Sequence, residues 1–182
     1  MNASADRCVV ALMGVPGAGK STLARALERE FALRRVCRDA IRAAMFPACE
    51  FSYLEKRAAF RAVLLALEIN CLLDASSVLD GMTFSRREDL DAVAAVAAKH
   101  HFSMLPLLVE CRPSLARERI ERDLAGGAHL ATDRRPALVD AVVARFDLPP
   151  EGVLRVDGEA PMPAMCAQAI AAVAQWRDAR GA

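Results

Sequence analysis

A chain of 182 residues that is 54% hydrophobic and 26% charged has the balance of one globular domain, long enough to bury roughly 70% of its unfolded surface. With 24 Lys+Arg against 23 Asp+Glu, the formal net charge is +1, which supplies no electrostatic footprint for a long nucleic-acid tract or an anionic membrane. Cys8, Cys37, Cys49, Cys71, Cys111 and Cys166 are scattered without a C-x-x-C or Cys/His grouping, and His100, His101 and His129 lack metal-ligand spacing, so the pattern favours free thiols in a reducing, cytoplasmic setting.

The apolar run Cys8–Met13 follows Asp6 and Arg7 and reads as a buried strand, not as the core of a signal peptide. It leads straight into Gly14-Val15-Pro16-Gly17-Ala18-Gly19-Lys20-Ser21 and Thr22, which fills every fixed position of the phosphate-binding pattern G-x-x-x-x-G-K-[ST]. Its glycine spacing is G-x-x-G-x-G, so it does not spell the dinucleotide fingerprint G-x-G-x-x-G. Glycines let successive N–H groups converge on one point, and the helix that follows adds its positive dipole end. Lys20 offers a charge to the outer phosphates, and the Ser21 hydroxyl is placed to ligate Mg²⁺. Lys20–Glu30 has helical periodicity, with Leu23, Ala26 and Leu27 on one face. Strand, glycine loop and helix together predict binding of a nucleoside triphosphate, with Gly14, Gly17, Ala18, Gly19, Lys20, Ser21 and Thr22 as its cradle.

A short second strand is expected at Arg34–Cys37, then Arg38-Asp39 and a helix over Ala40–Met45 that stops before Pro47. Asp39 and Arg42 are three apart and leave the same helix face. Either Asp39 accepts the proton of an attacking hydroxyl while Arg42 holds a phosphate or orients the acceptor, or Asp39 caps the helix and pairs with Arg42 at the surface. A long helix follows, from about Ser52 to Asp74. Its Ala58–Leu73 half is apolar nearly all round, broken by Arg61 and Glu68 and too short and charged for a membrane span. Such a helix is buried on most sides or covers a subunit interface.

The third strand, Ser77–Asp80, ends at Gly81. Asp80 either acts on Mg²⁺ or helps position the acceptor, or it belongs to an ordinary Asp-Gly turn. The residue after Asp80 is not a second acid, which argues against activation of water, and no N-K-x-D sequence marks guanine recognition. A helix over Arg86–His100, capped at Ser85, precedes a very apolar strand at Ser103–Glu110. The charged helix Ser114–Leu124 runs into Gly126-Gly127 and reads either as a solvated surface helix or as a lid whose Arg119 and Arg122 close over the nucleotide. A helix at Pro136–Phe146, a strand at Val153–Val156 and a helix at Met162–Trp176 complete one α/β domain over 1–182. Its parallel sheet is covered on both faces, and ligands bind at the carboxyl ends of its strands.

With these residues in place, Cys8 to Gly158 resembles the P-loop kinases of AAA-domain type, the group of phage-type polynucleotide 5′-kinase, the zeta toxins and chloramphenicol phosphotransferase. The likeness rests on Gly14–Thr22, Arg38-Asp39-x-x-Arg42, Asp80-x-x-x-Phe84-x-Arg86-Arg87 and the arginine-bearing helix. It implies a three-layer P-loop NTPase fold with strand order 2-3-1-4-5 and a small helical lid at about 113–135. It also implies that Asp39 is general base toward the acceptor, that Arg42 lies in the acceptor site, and that Arg119 and Arg122 contact the donor phosphates. The expected activity is transfer of the γ-phosphoryl group of ATP, with Mg²⁺ at Ser21 and Asp80, to a hydroxyl of a small molecule.

Acceptor residues between Phe46 and Asn70, including Tyr53, Lys56 and Arg57, spell no single substrate. One Trp and one Tyr give little stacking surface for single strands, so a polynucleotide 5′-hydroxyl or a nucleotide sugar is the alternative acceptor. A nucleotide-dependent switch that binds a partner is the reading of another class. A monomer or a homodimer fits either activity.

Overall fold

The structure, a computed structural model, describes residues 7–126 and 135–181. The second half of the expected lid, with Gly127 and His129, lies outside the described residues. The chain alternates β1 (Cys8–Met13), α1 (Lys20–Phe31), β2 (Arg34–Cys37), α2 (Arg38–Met45), α3 (Tyr53–Leu72), β3 (Ser77–Asp80), α4 (Arg87–Lys99) and β4 (Ser103–Glu110). There follow α5 (Pro113–Ala125), α6 (Ala137–Val143), β5 (Leu154–Asp157) and α7 (Met162–Gly181). The strands form one parallel sheet in the order β2-β3-β1-β4-β5, as the resemblance implies.

β1 is the middle strand, and each of its residues is at most 2% exposed. Successive side chains of a strand point to opposite faces, so β1 feeds two cores. Cys8, Val10 and Leu12 join Leu23 and Leu27 of α1, Ile120 of α5 and Ala169 and Val173 of α7. Val9, Ala11 and Met13 join Phe60, Val63 and Leu67 of α3 and Leu90 and Val93 of α4. Helices on both faces leave the carboxyl edge of the sheet as the place where loops gather.

One local expectation is corrected, and one of two alternatives for another is set aside. Ser85 does not cap α4: it is buried, within 3.2 Å of the Thr83 hydroxyl, and the N-cap position is Arg86. The first turn of α4 is served from afar, where the Asp147 carboxylate accepts from the Arg87 N–H at 2.6 Å. Nor is α3 buried on most sides. It buries Ala59, Phe60, Val63, Leu67 and Cys71 and leaves Leu65, Ile69 and Leu72 exposed. Its start is a full capping box, Ser52 with Glu55.

Candidate active site at the carboxyl edge of the sheet

The phosphate loop turns between β1 and α1. Gly17 has φ +85°, and a Cβ there would stand 2.4 Å from the Ala116 carbonyl oxygen, so only glycine lets the loop pass under α5. Gly19 ends the loop as the N-cap of α1, whose first turn carries no acidic residue to oppose an anion. The Lys20 ammonium folds back onto its own loop, donating to the carbonyls of Gly14 at 2.8 Å and Val15 at 2.7 Å. One residue on, the Ser21 hydroxyl donates to Asp80 Oδ1 at 2.9 Å. The pairing of β1 with β3 brings these two residues, 59 apart in sequence, together.

Asp80 ends β3 with a fully buried carboxylate. The Gly81 N–H donates to its Oδ1 at 2.7 Å, and Arg35 reaches its Oδ2 at 3.2 Å from the neighbouring edge strand. Arg35 also bridges to Glu28 at 3.1 Å. Burial works against the Arg35 charge, but the bond and charge of Asp80 outweigh it and hold the guanidinium above its ordinary pKa. Two hard oxygen donors, the Ser21 hydroxyl and the Asp80 carboxylate, stand side by side below the phosphate loop, a donor set that suits Mg²⁺.

Asp39 and Arg42 do leave one face of α2, with Arg42 Nη2 at 3.1 Å from Asp39 Oδ1. Neither sits at the surface: their side chains are 14% and 3% exposed, and the N-cap of α2 is Cys37, not Asp39. The Arg42 guanidinium lies over the Phe51 ring at 4.5 Å, which fixes its plane. Although Arg42 is close, Asp39 Oδ1 is buried and receives no hydrogen bond. Register explains how α2 meets β3, since Cys37 pairs with Asp80 and the residues that follow are neighbours. Gly81, at φ +74°, packs so closely that a Cβ there would sit 3.3 Å from the Asp39 carboxyl carbon. Asp39 is therefore one glycine away from Asp80, and Asp80 is one hydrogen bond away from Ser21.

Arg119 sits half-buried on α5, with its guanidinium docked on the carbonyls of Gly158 at 2.7 Å and Gly17 at 3.4 Å. It is a strut between the phosphate loop and the turn after β5. Arg122 lies one turn further on and is exposed. Tyr53 is exposed, and Arg57 is taken by Asp89 at 3.1 Å. A cavity of about 430 Å³ opens beside Gly14 and Val15, walled by Leu108, Val143, Phe146 and Pro149. On its rim Glu159 pairs with Arg112 and Glu110 with Arg155. Burial pushes the thiols of Cys37 and Cys111 up, so neither is poised as a thiolate nucleophile.

A family model described as an AAA domain matches residues 9–149, which holds the phosphate loop, Asp39, Asp80 and the arginine helix. The chain belongs to the AAA domain family. This AAA domain has the fold of P-loop kinases of known structure. A protein from Chloroflexus aurantiacus assigned as a kinase superposes with a TM-score of 0.72 at 22% identity, covering 96% of this chain and 98% of that one. A gluconokinase from Sinorhizobium meliloti 1021 gives 0.71 at 16% identity over 94% of each chain. The Mycobacterium tuberculosis APS kinase, in complex with AMPPNP and APS, gives 0.66 at 18% identity, covering 92% of this chain and 96% of that one. No curated protein is matched by the sequence.

Arg35 and Phe51 escape the sequence reading. Arg35 looks like an ordinary charged residue on an edge strand, and only the alternation of a strand that ends opposite Asp80 hints at its reach. No local signal marks Phe51, whose left-handed φ of 56° turns its ring under Arg42.

Proposed function

We propose that this AAA domain is an ATP-dependent kinase that transfers the γ-phosphoryl group to a hydroxyl of a small molecule. The observation that carries the reading is the Asp39 carboxylate, ion-paired through its buried Oδ1 with Arg42 at 3.1 Å and Arg38 at 3.8 Å and set against Gly81 beside the Ser21–Asp80 pair. Neither guanidinium makes a well-aligned hydrogen bond to Oδ1, so this oxygen retains capacity to accept from an incoming hydroxyl.

The triphosphate is bound by the loop N–H groups and the open N-terminus of α1, and Lys20 exchanges the carbonyls of Gly14 and Val15 for phosphate oxygens. Ser21 and Asp80 would hold Mg²⁺, which when bound neutralises charge on the phosphates. Arg42, locked by Phe51, orients the acceptor, and Asp39 takes the hydroxyl proton as the oxygen attacks. Arg119 keeps the loop closed under α5. A cavity of about 230 Å³ lined by Arg42, Phe46, Pro47 and Phe51 suits a small acceptor, and the thin aromatic content disfavours a polynucleotide.

A screen with labelled ATP against sugars, antibiotics, nucleosides, nucleotide sugars and 5′-hydroxyl oligonucleotides identifies the acceptor. With that acceptor, Lys20→Ala abolishes transfer. Asp39→Asn retains nucleotide binding and loses a factor on the order of 10²–10⁴ in turnover. Full turnover in Asp39→Asn refutes the assignment of the base. ATP consumption that no acceptor alters refutes the kinase and favours a nucleotide switch.

A further inference from the structure

An apolar stripe runs along the outward face of α3 with Arg61 and Glu68 on one flank, which is unusual on a helix already covering a core with its other face. On the helical wheel, Leu54, Ala58, Ala62, Leu65, Ile69 and Leu72 fall within one stripe opposite the buried Val63, Leu67 and Cys71. Leu54 is 76% exposed, Leu65 57%, Ile69 46% and Leu72 67%. From Leu54 to Leu72 the helix rises roughly 27 Å, a strip beyond the scattered apolar residues of an ordinary surface.

We propose that α3 is the seam of a two-fold symmetric dimer in which α3 packs antiparallel on α3 of a second copy. Three features of the stripe point to a copy of itself as the occupant. First, it repeats by sevens: Ala58, Leu65 and Leu72 hold one heptad position, and Ala62 and Ile69 another. Second, large and small residues are self-complementary in an antiparallel register. Setting Leu65 against the second copy's Ala62 sets Ile69 against the second copy's Ala58, and the symmetry axis repeats both layers. Third, the charges on one flank match. Arg61 is exposed, and none of the described ion pairs engages it. Glu68 lies seven residues on and holds Lys99 at 2.6 Å and His100 at 3.3 Å, both through Oε1. In the antiparallel register each Arg61 lies about 3 Å along the axis from the point opposite the second copy's Glu68, within the span of two long side chains, so two cross-pairs form from one sequence. A seam one helix wide falls at the small end of interface sizes, so the dimer is concentration-dependent, with Kd on the order of micromolar. The inference does not depend on the reading of the active site.

Light scattering after size exclusion, run from about 1 µM to about 500 µM, spans such a Kd. The wild-type mass is expected to climb from 19.6 kDa toward twice that value across the series. Leu65→Glu, at an exposed position, stays monomeric while its circular dichroism and thermal melt match wild type. Arg61→Glu and Glu68→Arg each place like charges across the axis and weaken the dimer at least about tenfold. An equimolar mixture of those two variants restores association, as does Arg61→Glu/Glu68→Arg in one chain. A wild-type monomer throughout the series overturns the proposal, as does a dimer indifferent to Leu65→Glu. Failure of the two charge variants to associate on mixing overturns the antiparallel register.

Discussion

Arg35→Met removes one cation and acts on two properties in opposite directions. In the folded protein Asp80 loses its Oδ2 partner but keeps the Ser21 hydroxyl at 2.9 Å and the Gly81 N–H at 2.7 Å. Breaking a buried ion pair outright costs about 3–5 kcal/mol. Two surviving hydrogen bonds and a guanidinium that is 30% exposed reduce this to about 1–2 kcal/mol, a fall in Tm of roughly 2–8 °C for a domain of this size. The metal responds the other way. At roughly 7 Å, about one carboxylate plus two contacts, a guanidinium and a divalent cation repel by about 1 kcal/mol in bulk water and about 5 kcal/mol at an effective dielectric near 20. A solvent-facing edge favours the lower end, so deleting Arg35 tightens Mg²⁺ binding by about 1–2 kcal/mol, roughly 5–30-fold. The assay is an Mg²⁺ titration of the complex with a fluorescent ATP analogue, read as the half-saturating Mg²⁺ concentration, beside melts in chelator. Arg35→Lys keeps the charge and is expected near wild type in the titration. A lower Tm with an unchanged or raised Mg²⁺ requirement would refute the reasoning, since Arg35 would then be a prop for β2 with no bearing on the charge of Asp80.

Gly17→Ala and Gly19→Ala separate backbone from side-chain obstruction. The first Cβ meets the Ala116 backbone oxygen at 2.4 Å and is expected to cost about 3 kcal/mol or more, whereas the second meets only the tip of Met165 at 3.1 Å and costs about 1–2 kcal/mol for its left-handed φ. Equal losses in chemical denaturation would count against the packing of α5 on the loop. Ser52→Ala removes the cap of α3 and lowers stability by about 1 kcal/mol. In the wild type the Ser52 N–H holds the Glu55 carboxyl below its ordinary range. That contribution is present above the usual carboxylate pKa and is lost as pH falls through the depressed one, so the gap between wild type and Glu55→Gln closes on acidification in urea melts. Arg119→Met unties Gly17 from Gly158 and is expected to weaken binding of the ATP analogue roughly 5–30-fold, with Arg119→Lys recovering little because one ammonium cannot span both carbonyls.

What could be read from residues alone follows the range of the forces involved. β1, the phosphate loop and α1 are a continuous segment whose period changes from two to 3.6 around a glycine run, so local pattern specifies them. The facing of Asp39 and Arg42 is legible for the same reason, being one helical turn. The hydrogen bond of Ser21 to Asp80 and the bond of Arg35 to Asp80 span 59 and 45 residues and depend on strand order, which periodicity does not encode. Ser85 fails as a cap because a loop 60 residues away supplies Asp147 instead. The two readings of α3, burial on most sides or cover for an interface, could not be separated by pattern for a different reason. Hydropathy reports what a side chain avoids, not which side of the helix the rest of the protein covers.

Arg119 is tied to Gly158, whose N–H in turn donates to the Glu110 carbonyl at 2.7 Å, and Met165 of α7 walls Gly19. The cradle that begins at residue 14 is thus not walled until residues 158–165 have docked. During synthesis the nascent chain exposes a glycine-rich loop well over a hundred residues before its last wall leaves the ribosome. Nucleotide can act as a ligand for folding only at that final stage, when it would lock the two distant segments of the chain together.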